Sequence, residues 1–146
     1  MNVHFIREAH FMLFGEIDHK GEDLTERYVA ETLRSGDAGA ARLARRQVHV
    51  RASRAAYLAL MGESVNSAEE DFRREMEDVA LETRRNRLIW DAYYRLAPSL
   101  QSVLELYYVR GETVESVSGS LGISKRTFWR RRSAAVLAIM RHVGEV

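Results

Sequence analysis

One proline, Pro98, stands in a chain of 146 residues. Proline is the residue that most strongly breaks a helix, so its rarity leaves long stretches on either side free to be helical. β-branched residues form few runs, and apolar residues recur at intervals of three and four positions, which is the spacing of one helix face. We therefore expect an all-α protein, in which a helical N-terminal part and a long helix lead into a C-terminal helical domain.

The composition excludes several classes of protein. Hydrophobic residues make up 46% of the chain, which is enough for a core and excludes full disorder. There is no cysteine, so disulfides, thiolate metal sites and cysteine nucleophiles are excluded together. No apolar run approaches the ~18 residues that a membrane span needs, and the first residues do not resemble a signal peptide. These features predict a cytoplasmic protein without a membrane partner.

The N-terminal region, residues 1–64, shows helical spacing but no motif that reveals its role. The predicted helices are 3–17, 23–34 and 37–61. Asp23 is expected to cap the second of them, and Gly36 to lie just past its end.

A long helix is predicted over residues 65–95. Ser67 followed by Glu70 has the spacing of a capping box, which marks a helix start. Seven residues then alternate at intervals of four and three: Phe72, Met76, Val79, Thr83, Asn86, Trp90 and Tyr93. This heptad spacing fits either a helix packed on its own domain or the seam of a homodimer with Asn86 setting the register. The charges outside the seam, as in EEDFRREMED, are expected to form a solvated face.

A third region, residues 96–146, has the pattern of short helices separated by glycines. The first helix, about 99–109, is predicted to bury four residues: Leu100, Val103, Leu104 and Tyr107. Thr113 can then cap a short helix that ends at Leu121, with Gly122 in the left-handed conformation past its end. Ser124 can cap a last helix from 125 to about 142. Two helices joined by so short a turn predict a helix-turn-helix.

Positive charge is concentrated on that last helix, although the net charge of the chain is only +1. Residues 96–146 carry seven basic and four acidic groups. Five of the seven basic residues lie within eight positions: Lys125, Arg126, Arg130, Arg131 and Arg132. A local basic patch on a nearly neutral protein indicates a directed contact with a polyanion.

The segment LAPSLQSVLELYYVRGETVESVSGSLGISKRTFWRRRSAAVLAI, residues 96–139, resembles region 4 of bacterial sigma factors. The shared frame is Leu96-x-Pro98, Val103-Leu104-Glu105-Leu106-x-Tyr108, Gly111 and Leu121-Gly122-Ile123-Ser124. The rest of the chain does not resemble sigma region 2, so a complete sigma factor is not expected. The ending is also similar to phage transcriptional regulators of the RinA and ArpU type. This resemblance implies a DNA-binding activator of phage late genes that works with host RNA polymerase.

The resemblance and the physics of DNA recognition indicate the same candidate residues. The major groove admits one helix, whose N-terminal residues point at base edges. The residues that match the promoter-reading positions of sigma region 4 are Lys125, Arg126, Trp129 and Arg130. The residues placed for phosphate contacts are Ser124, Thr127 and Arg131, with Thr113 and Arg110 at a flanking phosphate.

Several of these positions have a structural alternative. Trp129 can shield Phe128 and the core instead of contacting DNA. Arg131 and Arg132 occupy positions of which one is usually apolar, so one of them is expected to lay its stem across the core. Gly119, inside a short helix, costs about 1 kcal/mol relative to alanine. The residues expected in the core are Phe128, Ala135, Val136 and Ile139.

No motif of catalysis or metal binding is found. The five histidines are scattered without metal-ligand spacing, and no phosphate-binding glycine loop or nucleophile elbow occurs. We therefore expect no enzyme activity, no metal and no cofactor. Besides a sequence-specific regulator, two functions stay open: a sigma-like protein-interaction adaptor, and a small-terminase-like DNA-packaging protein that assembles into a ring.

Overall fold

The computed structural model describes residues 23–61 and 66–144. Within these ranges the chain is helical and has no strand, which confirms the predicted all-α fold. The helices are α1 (Glu26–Met61), α2 (Asn66–Arg95), α3 (Pro98–Leu104), α4 (Val114–Leu121) and α5 (Lys125–Val143). A π-helical turn, Glu105–Val109, continues α3. The helix predicted at 3–17 lies outside the described residues.

The start of α1 differs from the prediction. The Thr25 hydroxyl oxygen accepts a hydrogen bond from the Tyr28 backbone N–H at 3.1 Å, so Thr25 is the N-cap and the assignment of this role to Asp23 was wrong. The predicted break at Gly36 is confirmed, because its dihedral angles (φ 52°, ψ −135°) are not helical. Glycine adopts this backbone conformation without the steric cost of a side chain. Two helical segments therefore meet at a kink inside α1.

The chain divides into two compact units. The described part of unit 1 comprises residues 40–61 and 66–84, and that of unit 2 comprises residues 23–39 and 85–144. Unit 2 therefore extends beyond the span 96–146 that the sequence pattern outlined. The added segments belong to it because their apolar side chains share one core with the C-terminal helices.

The core of unit 2 is apolar and draws on distant parts of the sequence. Its innermost members, each at most 1% exposed, include Leu33 of α1, Ile89 of α2, Leu104 of α3 and Ile139 of α5. The four residues predicted for the core of the C-terminal domain, Phe128, Ala135, Val136 and Ile139, are all fully buried. This core fixes the positions of α3 and α5.

The segment after α3 is a π-helical turn with one buried and one half-buried tyrosine. The Arg110 backbone N–H donates to the carbonyl of Glu105, five residues earlier, at 2.8 Å. Tyr108, four residues after the buried Leu104, is 4% exposed. Tyr107, which the helical spacing predicted to be buried, is half-buried.

Unit 1 buries charged side chains that the sequence pattern did not indicate. Phe72 and Val79, two positions of the predicted seam, are buried within the chain, but Met76 and Thr83 are exposed. The buried positions between them are those of Glu75 and Glu82, which face Arg46 of α1: Arg46 Nη1 lies 2.7 Å from a Glu82 oxygen, and Arg46 Nη2 lies 4.0 Å from a Glu75 oxygen. The prediction that all these charges are solvated was therefore wrong.

The side chain of Ser67, on which the predicted capping box depends, lies outside the described residues. The structure begins α2 at Asn66, one residue before the predicted cap. The Glu70 carboxylate pairs with Arg73, three residues further along α2. Ion pairs at this spacing stabilise the surface of a helix.

The described helices contain neither a candidate membrane span nor a candidate metal site. None of them is long and apolar enough to cross a membrane. Across residues 23–61 and 66–144, no group of three or more His, Asp or Glu side chains is arranged to hold a metal ion.

Candidate nucleic-acid interface

Helices α4 and α5 are joined by a turn of three residues, Gly122 to Ser124; we call α4, this turn and α5 the helix pair. Gly122 has the left-handed conformation that was predicted (φ 64°, ψ 37°). The N–H of Ile123 donates to the carbonyl of Ser118 at 3.0 Å, which satisfies a backbone oxygen at the end of α4. Glycine allows the chain to reverse here without strain, so α5 begins only four residues after α4 ends.

Both helices of the pair carry the predicted caps. The Thr113 hydroxyl oxygen accepts from the Ser116 N–H, and that of Ser124 accepts from the Thr127 N–H, each at 3.1 Å. Ser124 also donates its hydroxyl proton to Thr127 Oγ1 at 3.1 Å. The Thr127 hydroxyl thus lies at the N-terminus of α5, where it can donate to a phosphate.

A small apolar cluster supports the helix pair from within. Val103, Val117 and Phe128 are fully buried against one another, and half-buried side chains of α4, of the turn and of the π-helical turn surround them. Because Phe128 is the fourth residue of α5, this cluster holds the N-terminal turn of α5 directly. The basic residues on that turn are consequently carried by a rigid support.

The predicted base-reading cations lie on the solvent side of α5. Lys125, Arg126 and Arg130 are exposed, and Arg131 is half-buried. Lys125 forms an ion pair with Glu115 of α4, with 3.0 Å between Nζ and Oε1. Among the described residues no carboxylate pairs with Arg126, Arg130 or Arg131, so positive charge gathers here without local neutralisation.

Trp129 is placed for both of the roles considered for it. The residue is 46% exposed next to the cations. Its other edge packs against Phe128 and Tyr107, with ring centroids 5.0 and 6.1 Å apart in edge-to-face geometry. The indole therefore covers the apolar cluster and still presents an aromatic surface to solvent.

Arg132 is a structural residue rather than a free cation. Its side chain is 16% exposed, and it donates to the Tyr108 hydroxyl at 2.8 Å and to Glu26 at 3.0 Å. Burial lowers the pKa of Arg132, but the hydrogen bonds to Tyr108 and Glu26 outweigh burial and raise it overall. The expectation that one of the two adjacent arginines lies across the core is thus confirmed for Arg132.

The remaining predicted residues lie on the segment before α4. Arg110 is exposed at the end of the π-helical turn, and its Nη2 lies 3.4 Å from a Glu105 oxygen. Thr113, three residues later, is exposed as well. Glu115 is the residue of this surface that the sequence interpretation missed. It is ten positions away from its partner Lys125, and only the reversal at Gly122 brings the two together.

Comparison with known proteins identifies no relative of this chain. No family model, no curated protein and no solved structure matches the chain. Its functional interpretation therefore depends on the charge and geometry of the helix pair.

Proposed function

We propose that this chain is a sequence-specific DNA-binding regulator of transcription, which inserts the N-terminal half of α5 into the major groove. The observation that carries the proposal is the pair Arg126 and Arg130, exposed one turn apart without an ion-pair partner among the described residues. Like charges at this spacing repel each other. A polyanion that neutralises them converts this repulsion into binding energy.

The exposed groups of α5 match the two kinds of contact that such binding needs. An arginine can donate two hydrogen bonds to O6 and N7 of a guanine, the commonest specific contact in the major groove. Arg126 and Arg130 are the candidates for this role, with Trp129 beside them for apolar contact with a thymine methyl group. The Thr127 hydroxyl, the half-buried Arg131 and the N-terminus of α5 can bind the phosphates that fix the orientation of the helix.

The biological setting is proposed from the resemblance of residues 96–139. Its likeness to sigma region 4 and to phage regulators of the RinA and ArpU type supports a cytoplasmic activator of phage late genes that acts with host RNA polymerase. One such helix contacts few base pairs. A homodimer that reads two half-sites about 34–36 Å apart would supply the missing affinity, and we include it in the proposal.

Selection of DNA sequences from a random library by the purified protein tests this function. The variant Lys125→Ala/Arg126→Ala is compared with Arg45→Ala/Arg51→Ala, which removes two exposed arginines from unit 1 and matches the change in net charge. We expect the wild type and the control to enrich the same motif, and the first variant to lose it. Equal, weak and motif-free binding by all three proteins would overturn the proposal.

Two further outcomes would favour a function other than sequence-specific regulation. RNA polymerase binding that survives Lys125→Ala/Arg126→Ala, without any preferred DNA site, would indicate a protein-interaction adaptor. A ring of many subunits in analytical ultracentrifugation would indicate a DNA-packaging protein of the small-terminase type.

A further inference from the structure

An ionised carboxylate of α4 lies beside the start of α5, the part of the helix pair that we propose to enter the major groove. Glu115, in the first turn of α4, is 68% exposed, and Lys125, the first residue of α5, is 63% exposed. The hydrogen bond from Lys125 is the main reason why the pKa of the Glu115 carboxyl is lowered, with the Glu115 backbone N–H and Coulomb attraction adding to it. Glu115 is therefore negatively charged at neutral pH, at a position where DNA would bring many more negative charges.

This ion pair disfavours contacts with phosphate. Lys125 has three donor N–H groups and can reach a phosphate while it keeps Glu115, but the Glu115 carboxylate then lies beside a second anion. The resulting repulsion is the same for every DNA sequence, because the phosphates do not differ between sequences. Arg126 and Arg130 carry no such restriction, since no described carboxylate pairs with them.

A G·C base pair can satisfy both members of the ion pair at once. In the major groove, guanine presents the acceptor O6 next to the donor N4–H₂ of cytosine. These two groups are hydrogen-bonded to each other, which places their heavy atoms about 2.9 Å apart. The distance between Lys125 Nζ and Glu115 Oε1, 3.0 Å, matches this spacing. Lys125 can donate to O6 while Glu115 accepts from N4, and the ion pair stays intact.

We propose that Glu115 and Lys125 read one G·C base pair as a unit, and that Glu115 is a specificity-determining residue that weakens binding to random DNA. The inference rests on the proposed DNA-binding function and adds to it the class of base pair read at the start of α5. The carboxylate weakens binding wherever it lies beside a phosphate, and it accepts a compensating hydrogen bond only from a matching base pair. It therefore increases the difference in affinity between specific and non-specific DNA.

The test compares Glu115→Ala with Glu112→Ala. Glu112, three residues earlier, accepts a hydrogen bond from the Ser116 hydroxyl at 2.8 Å and pairs with no described cation, so its removal changes the charge equally without releasing Lys125. Each protein is used for sequence selection, and its affinity is measured for the selected duplex and for a random-sequence duplex at several salt concentrations.

Glu115→Ala is expected to lose the preference for G·C at one position by ~5-fold or more, the lower end of what a good base contact contributes. It should bind random DNA more tightly than Glu112→Ala does. For this variant, a plot of log affinity against log salt concentration should have a slope that is steeper by about one unit, because Lys125 becomes free to neutralise a phosphate. Glu112→Ala should keep the wild-type motif and slope.

A second variant separates base reading from support of the helix pair. Glu115→Lys/Lys125→Glu keeps the ion pair, its support of the helix pair and the net charge, so loss of the G·C preference in this variant excludes a purely structural role of the ion pair. Circular dichroism verifies that each variant is folded. Identical motifs and affinity ratios in Glu115→Ala and Glu112→Ala would refute the role of Glu115 alone. A wild-type protein that selects no site would refute the proposed function as well.

Discussion

The described parts of the two units differ in the charged side chains that they bury, because unit 1 buries Arg46, Glu75 and Glu82 and unit 2 buries Arg85. Unit 2 packs fully buried aliphatic and aromatic side chains, such as Ile89, Phe128 and Ile139, around its centre. In unit 1 the row of buried side chains on α2 alternates between apolar residues and the carboxylates of Glu75 and Glu82, which face Arg46. An apolar interior derives its stability from area removed from water, whereas a buried ion network must first offset the cost of desolvating its charges. The two units should therefore respond differently to substitution.

The largest effect is expected from Phe128→Ala in unit 2. Phe128 is fully buried between α3, α4 and α5, so its loss leaves a cavity and should lower the free energy of unfolding by about 4 kcal/mol. Both tryptophans, Trp90 and Trp129, belong to unit 2, so urea unfolding followed by tryptophan fluorescence reports on this unit. Leu137→Ala, at a position 37% exposed on the same helix, is the control and should cost about 1 kcal/mol or less. Equal effects of the two substitutions would contradict an apolar core centred on Phe128.

In unit 1, Arg46→Met should cost about 3 kcal/mol, because it removes the guanidinium that faces two buried carboxylates. Urea unfolding followed by far-UV circular dichroism measures the change. The triple variant Arg46→Met/Glu75→Leu/Glu82→Leu replaces these three charged side chains by apolar ones and should recover wild-type stability or exceed it. If the triple variant is as unstable as the single one, the network contributes more than charge balance, and the contrast between the units is smaller than we infer.

The smallest effect concerns a polar group inside the apolar unit. Burial, followed by the negative charge of Glu105, raises the pKa of the Tyr93 phenol to about 12. The unfolded chain ionises Tyr93 near the ordinary value of ~10. The folded state thus binds more protons than the unfolded state between these values, so its stability is complete below pH ~10 and falls as the pH rises toward 12. Tyr93→Phe should remove this part of the alkaline loss in a pH series of urea unfolding, whereas Tyr94→Phe, at a position 70% exposed, should not.

The parts of the fold that the sequence predicted correctly depend on local chemistry. Gly122, Ser124 and Thr113 act through hydrogen bonds and dihedral angles within a few residues, so their roles can be inferred from the order of residues alone. The same holds for the kink at Gly36. The buried positions of α5 were also predictable, because apolar residues recur there at the spacing of one helix face.

The errors at Glu75, Glu82 and Glu115 occurred where tertiary contacts override the local pattern. Glu75 and Glu82 look like surface residues in the sequence, and the approach of Arg46 from another helix supports their burial. The contact of Glu115 with Lys125 likewise depends on the reversal of the chain between α4 and α5. For the candidate interface, the cations could be identified from the sequence, but the carboxylate that modulates one of them could not.

The π-helical turn at Glu105–Val109 has a consequence for the tolerance of this segment to deletion. A turn of this kind contains one residue more than an α-helical path between the same points. Deletion of one residue between Leu104 and Arg110 therefore leaves a chain long enough to continue α3 as a regular α-helix. The segment that leads to the helix pair has a length reserve of one residue.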